Sequence, residues 1–164
     1  MGPVFNAVVV TGLVGGGMAS VIGTMKVSEE VDALEVMSID PVRYLVMPRL
    51  LAMLIVVPLL TVYADWVGIL GGAVVAKYQV GSSFHTFFTH ASDTLQAKDV
   101  IFGLLKSAVF AVIITIVGCD QGLSATGGAE GVGRSTMRSV VYSFLLILIF
   151  NYLLFSLVYK PMMQ

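Results

Sequence analysis

Residues 45–76 read LVMPRLLAMLIVVPLLTVYADWVGILGGAVVA, a run of 32 residues in which Arg49 and Asp65 are the only ionised side chains. About 20 apolar residues suffice to cross ~30 Å of hydrocarbon. Wound as a helix at ~1.5 Å per residue, the run would be about 48 Å long. It is therefore expected to span a membrane and to tilt, kink or protrude. Pro48 and Pro58 each delete a backbone donor and crowd the preceding turn, so a bend is expected near one of them. Working outward, three further segments are long and apolar enough to cross: Val4–Met25, Val100–Gly118 and Val140–Tyr159. The whole chain of 164 residues agrees, being 57% hydrophobic and 12% charged with a mean hydropathy of +0.95. Average soluble domains carry about 25% charged residues. An all-α transmembrane protein forming one domain over residues 1–164 follows, and a soluble fold is excluded.

The same numbers exclude other classes. A net charge of −1 lacks the basic footprint of nucleic-acid binding. One cysteine, Cys119, cannot form an internal disulfide, and with two histidines no Cys/His metal cluster can be built. No metal and no cofactor are expected. Val4 to Val10 is apolar, but Met1-Gly2-Pro3 carries no positive charge and the first lysine is Lys26, so this is not a secretory signal. It reads as a span beginning almost at residue 1, with more chain expected upstream.

Orientation follows from the basic residues in short connections. Lys26, Arg43, Arg49, Arg134 and Arg138 flank one side, against Lys77, Lys98 and Lys160 on the other. Segments 26–44 and 119–139 are expected in the cytoplasm and 77–99 outside.

Small residues recur every fourth position in the first span, as Gly12, Gly16, Ser20 and as Gly15, Ala19, Gly23; Gly68, Gly72, Ala76 repeats the pattern in the second. Such faces let helices approach closely in lipid. They serve packing within one subunit, or a dimer seam or substrate path.

Between the first two spans, Val27, Val31 and Leu34 fall at i, i+4, i+7 while Ser28, Glu29, Asp32 and Glu35 lie off that stripe. A short amphipathic helix over about 28–37, lying along the membrane surface, is expected. Ser28 is suited to cap it, and Asp40-Pro41 supplies a cap and first-turn proline for the next helix. Glu29, Glu30, Asp32, Glu35 and Asp40 place five carboxylates where a loop facing anionic lipid would carry Lys and Arg. A protein partner accounts for that acidity.

Ionisable residues within spans are costly and are functional candidates. Here these are Asp65 and Lys106, which could pair if their depths match. The outer connection holds His85, His90 and Asp93 beside Phe84, Phe87 and Phe88. A hydrolytic triad is weak there, without a nucleophile elbow, and membrane-anchoring aromatics explain the composition better. The glycine-rich stretch Gly122–Arg138 is expected to be a cytoplasmic loop. It contains neither phosphate-binding glycine motif, so nucleotide binding by this chain is not expected.

Residues 23–37 (GTMKVSEEVDALEVM), 40–46 (DPVRYLV) and Pro48-Arg49, then Gly118-Cys119, Gln121-Gly122 and 127–134 (GGAEGVGR), resemble the signature of the MlaE-type (YrbE-like) permeases over nearly the whole chain. The resemblance implies the inner-membrane subunit of an ATP-binding-cassette (ABC) system moving phospholipids or related hydrophobic molecules across the envelope of double-membraned bacteria, with counterparts in chloroplasts. It also implies a homodimer on cytoplasmic ATPases that bind the ATP, beneath MCE-domain proteins. The 28–37 helix would be the coupling helix, with Glu29, Glu30, Asp32, Glu35, Asp40 and Arg43 docking the ATPase. Gly12, Gly16, Gly68, Gly72 and Lys106 would serve the lipid path or dimer packing. Relatives carry an interfacial helix and one more span upstream. Many also have charges where this chain has Leu13 and Val21, and often an acidic residue where it has Asn151. Two readings from other classes are a membrane-embedded hydrolase using His85 or His90 and a non-transporting assembly subunit.

Overall fold

A computed structural model describes residues 2–80, 87–89 and 97–159. Four helices long and apolar enough to cross a membrane form an all-α bundle: α1 (Gly2–Val27), α3 (Val42–Tyr78), α4 (Lys98–Leu123) and α5 (Gly128–Leu157). The short α2 (Glu30–Val36) joins α1 to α3. Among the described residues there is no strand. α1 packs against all three other spans and α4 against α1, α3 and α5, so α1 and α4 form the centre with α3 and α5 flanking them. The core is Ala7, Val10, Met53, Val57, Phe110, Ala111, Ile113, Ile114 and Ile147. Leu51, Ile55, Leu59 and Tyr63 of α3 point outward, as they do when hydrocarbon replaces water as the solvent.

Missing side chains set the α1–α4 spacing. A Cβ on Gly122 would lie 2.8 Å from Ile22 Cβ and 3.0 Å from the Ala19 carbonyl, and one on Gly118 would lie 3.1 Å from the Gly15 carbonyl. Gly16 does the same toward α5, with Val140 Cγ2 at 3.2 Å from where its Cβ would stand. The facing stripe on α5 is Ser135, Ser139, Ser143 and Ile147, all buried, and Ser139 Oγ donates to the Gly15 carbonyl at 3.4 Å. Small hydroxyl side chains permit close approach and supply interhelical hydrogen bonds.

The helical boundaries differ from expectation in two places. α5 begins at Gly128 rather than Val140, so only residues 124–127 of the expected Gly122–Arg138 loop lie outside helices. The glycines there are used for geometry: Gly127 and Gly128 have φ of 89° and 70°, and Gly131 sits where a Cβ would be 1.7 Å from the Thr126 carbonyl. Glu130 in the first turn, bonded to Arg134 at 2.8 Å one turn on, supports the helix through its dipole and an i,i+4 pair.

The second difference concerns Ser28, which closes α1 and does not cap α2. Its N–H bonds the Thr24 carbonyl at 2.9 Å, and Glu29, at φ 61°, makes the left-handed bend and accepts the first α2 bond from Ala33 N–H. Only Ser28 and Glu29 lie between the two helices, and Ser28, at φ −84° and ψ 10°, lacks the extended backbone of a serine cap. α2 ends in a Schellman turn: Ser38 is left-handed (φ 59°), Ser38 N–H reaches the Glu35 carbonyl at 2.9 Å and Ile39 N–H the Leu34 carbonyl at 3.0 Å. Asp40 then caps α3 as expected, its Oδ1 accepting from Val42 N–H at 2.9 Å. α3 takes up both prolines without interruption, with a π-helical turn at Val42–Val46 ahead of Pro48 and Pro58 inside the helix.

Candidate functional site

At the α2 end of the bundle, Val31 is buried and Leu34 half-buried, which fixes one side of α2 against the molecule. The Lys26–Asp32 ion pair ties it to the end of α1. Glu29, Glu30 and Glu35 are left exposed on the opposite side. Beside them stand Val36, 86% exposed, and Met37, 61% exposed. Neither apolar residue was singled out from the sequence, although both lie off the Val27/Val31/Leu34 stripe and so had no place on the bundle side. Asp40 and Arg43 form a loose pair at 3.9 Å at the start of α3. The six expected docking residues thus divide: Glu29 makes the turn, Glu30 and Glu35 face outward, Asp32 holds α2 down, and Asp40 with Arg43 sets the start of α3. The outer face combines carboxylates with uncovered apolar surface, the composition of a protein-binding patch. Near the start of α3 the Arg49 guanidinium lies beside the buried Cys119 of α4, with its Nη1 buried and unbonded.

At the far end, Lys106 and Asp65 do not form the pair the sequence allowed. Lys106 Nζ donates to Asn151 Oδ1 of α5 at 3.1 Å and stands 4.8 Å from the centre of the Phe102 ring. Asp65 instead packs against Gly2 at the start of α1, so α3 continues past the level where α1 begins. Between the two helices and α4 lies a cavity of about 610 Å³ lined by Pro3, Thr61, Asp65, Trp66, Gly68 and Leu104 among others. Gly68 opens into it, and Gly72 faces Phe87 at 3.5 Å. Gly12 has nothing within 4 Å of where its Cβ would stand, whereas Gly16 is buried against α5. Within α1 the exposed Gly12, Leu13 and Val14 belong to a π-helical turn, Thr11–Gly15, a distortion that recurs at functional positions. His85, His90 and Asp93 lie outside the described residues. Among the described residues no His/Cys/Asp/Glu group could hold a metal ion.

Four apolar helices and a short acidic connecting helix packed on one end of them are the architecture of an all-α membrane protein. The profile described as Permease MlaE matches residues 1–157, and the chain belongs to that family. It is 44% identical over 160 residues to a probable ABC transporter permease protein of Rickettsia typhi, covering 98% of this chain and 62% of that protein. Another probable ABC transporter permease protein, from Synechocystis, is 43% identical over 98% of this chain and 61% of its own length. The chloroplastic protein TRIGALACTOSYLDIACYLGLYCEROL 1 of Arabidopsis thaliana is 36% identical over 98% of this chain and 46% of its own length. This chain therefore spans less than two thirds of the curated relatives it matches.

Proposed function

We propose that this chain forms the transmembrane part of an ABC lipid transporter in a bacterial inner membrane and docks its ATPase through α2. The observation that carries the reading is the outer face of α2, where Glu30 and Glu35 stand beside the uncovered Val36 and Met37 in a chain of a permease family. The Lys26–Asp32 pair and the buried Val31 couple α2 to the end of α1. A displacement of α2 by the ATPase is thereby passed to the helix that touches every other span, as a two-state bundle requires. ATP is bound and hydrolysed in the partner, and this chain supplies no catalytic group. The name of the Arabidopsis relative and the apolar bundle favour a diacylglycerol-based lipid as cargo. A second copy of the chain and an MCE-domain protein on the outer side complete the transporter. Orientation follows the excess of basic residues around α2 and the 124–127 connection, which places them in the cytoplasm.

The test is charge reversal on the outward carboxylates only. Glu30→Lys with Glu35→Lys should cut co-purification of a nucleotide-binding ATPase subunit while leaving the melting midpoint unchanged, because exposed charges contribute little to stability. Wild-type recovery of the ATPase by the double variant would overturn the docking role.

A further inference from the structure

We propose that the α4–α5 contact at Lys106 binds the phosphate of a glycerophospholipid, held by the Lys106 ammonium and the Asn151 amide. This deepens the lipid-transporter reading and rests on it for the cargo.

Depth comes first. Lys106 is eight residues from Lys98 and Asn151 six residues from Leu157, which at ~1.5 Å per residue puts them about 12 and 9 Å below the same end of the bundle. Two antiparallel helices thus bring a cation and an amide together about two turns inside the apolar zone, within reach of a lipid headgroup settling into the bundle from that end. The contact itself is one-sided. Lys106 Nζ donates to Asn151 Oδ1 at 3.1 Å, a neutral acceptor that leaves the full positive charge in place. None of the ion pairs among the described residues involves Lys106. Asp65 lies against Gly2 at the start of α1.

Aromatic faces partly stand in for water, with Nζ 4.8 Å from the Phe102 ring and 6.0 Å from that of Phe155. They stabilise a cation without neutralising it. An ammonium has three donors and a carboxamide two. With one ammonium donor committed to Asn151, two ammonium and two amide N–H groups remain to converge on a ligand. A donor-only site of net charge +1, flanked by rings and opening beside the exposed Phe155 and Tyr152, fits an amphiphile whose polar end is a singly charged oxyanion. A lipid phosphodiester meets that description, with its acyl chains lying along the apolar surface of α4 and α5.

The experiment is native mass spectrometry of the full-length protein in a maltoside detergent, titrated with dioleoylphosphatidylglycerol, dioleoylglycerol or oleate. The phosphate-bearing lipid should be retained about tenfold better than dioleoylglycerol, the difference that a charge-assisted bond of ~1.4 kcal/mol provides. Lys106→Met should abolish that preference and Lys106→Arg should keep it. Asn151→Asp should also abolish it, by giving Lys106 a resident counter-ion with little change in shape; this keeps the test open if the methionine variant folds poorly. Equal retention of both diacyl lipids by the wild type, a preference that survives Lys106→Met, or tighter binding of oleate than of the phospholipid would each overturn the proposal. Loss of the preference alongside normal ATPase co-purification removes this site and leaves the transporter reading standing. A preserved preference in a protein that recruits no ATPase does the reverse.

Discussion

Asn6 of α1 donates its Nδ2–H to Thr61 Oγ1 of α3 at 2.9 Å, and the Thr61 hydroxyl in turn donates to the Val57 carbonyl at 2.9 Å. Both residues are buried, at 8% and 2% exposure, so the chain of bonds links two spans where neither water nor lipid can substitute. Thr61→Val preserves shape and removes the acceptor, and should lower stability by about 0.6 kcal/mol, at most ~1.7, the range for interhelical hydrogen bonds in membranes. Asn6→Val should cost a similar amount, and the double variant little more than either alone. Unfolding free energies from steric trapping in bicelles give the cycle. Additive losses would mean that the two side chains do not act as a pair.

The 124–127 connection depends on glycine at position 131. A Cβ there would stand 1.7 Å from the Thr126 carbonyl carried on the turn. Gly131→Ala has to push that turn away and should lower stability by about 1–3 kcal/mol, as overpacking does. Gly133 is helical with open space around its Cβ position, so Gly133→Ala should stabilise the helix by up to ~1 kcal/mol. Opposite shifts of the melting midpoint in detergent are expected. Equal shifts would refute the close contact.

Orientation can be read by thiol labelling. Cys119 is 1% exposed, and its replacement by alanine gives a silent background. Cysteine introduced at Tyr78, which is exposed at the end of α3, should react with an impermeant maleimide in intact spheroplasts. Cysteine at Thr126, exposed in the connection, should react only after lysis. The reverse pattern would invert the orientation proposed above.

Much of this architecture was legible in the sequence because hydrophobic length is a strong signal: each expected span lies on one of the four long helices. The acidic connecting helix was legible for the same kind of reason, its apolar stripe being short but regular. The start of α5 was not. A run of glycines has no hydrophobic period, and the fit of Gly131 beside the Thr126 carbonyl five residues back appears only once the turn is folded. Asn6 and Thr61 lie 55 positions apart, and no local pattern pairs them. The serine row 135, 139, 143 could have been found by the same four-residue spacing that revealed the glycine rows. Lys106 stood out on cost alone, but its partner needed the relative heights of α4 and α5.

The glycines of α1 fall on two faces, one packed within the chain and one open. On the outward side of α1 run Phe5, Val9, Leu13 and Val21, all exposed, with Gly12 and Gly17 between them and nothing within 4 Å of either glycine's Cβ position. On the inward side Gly16 has Val140 at 3.2 Å and Thr136 at 3.6 Å. A leucine at position 16 therefore has to separate α1 from α5 and should destabilise the subunit itself, forfeiting contacts along the Ser135/Ser139/Ser143 stripe. A side chain at position 12 starts in open space, its Cβ having nothing within 4 Å, so the melting midpoint should stay within a degree or two, as exposed substitutions of under ~0.5 kcal/mol imply. If a second copy seats its backbone against that small-residue surface, as close packing in lipid favours, Gly12→Leu should shift the full-length protein from dimer to monomer in light scattering. Gly71→Leu, equally open on α3, should leave the dimer intact. A Gly12→Leu protein that remains dimeric would place the seam on another helix and leave the open face of α1 to the lipid.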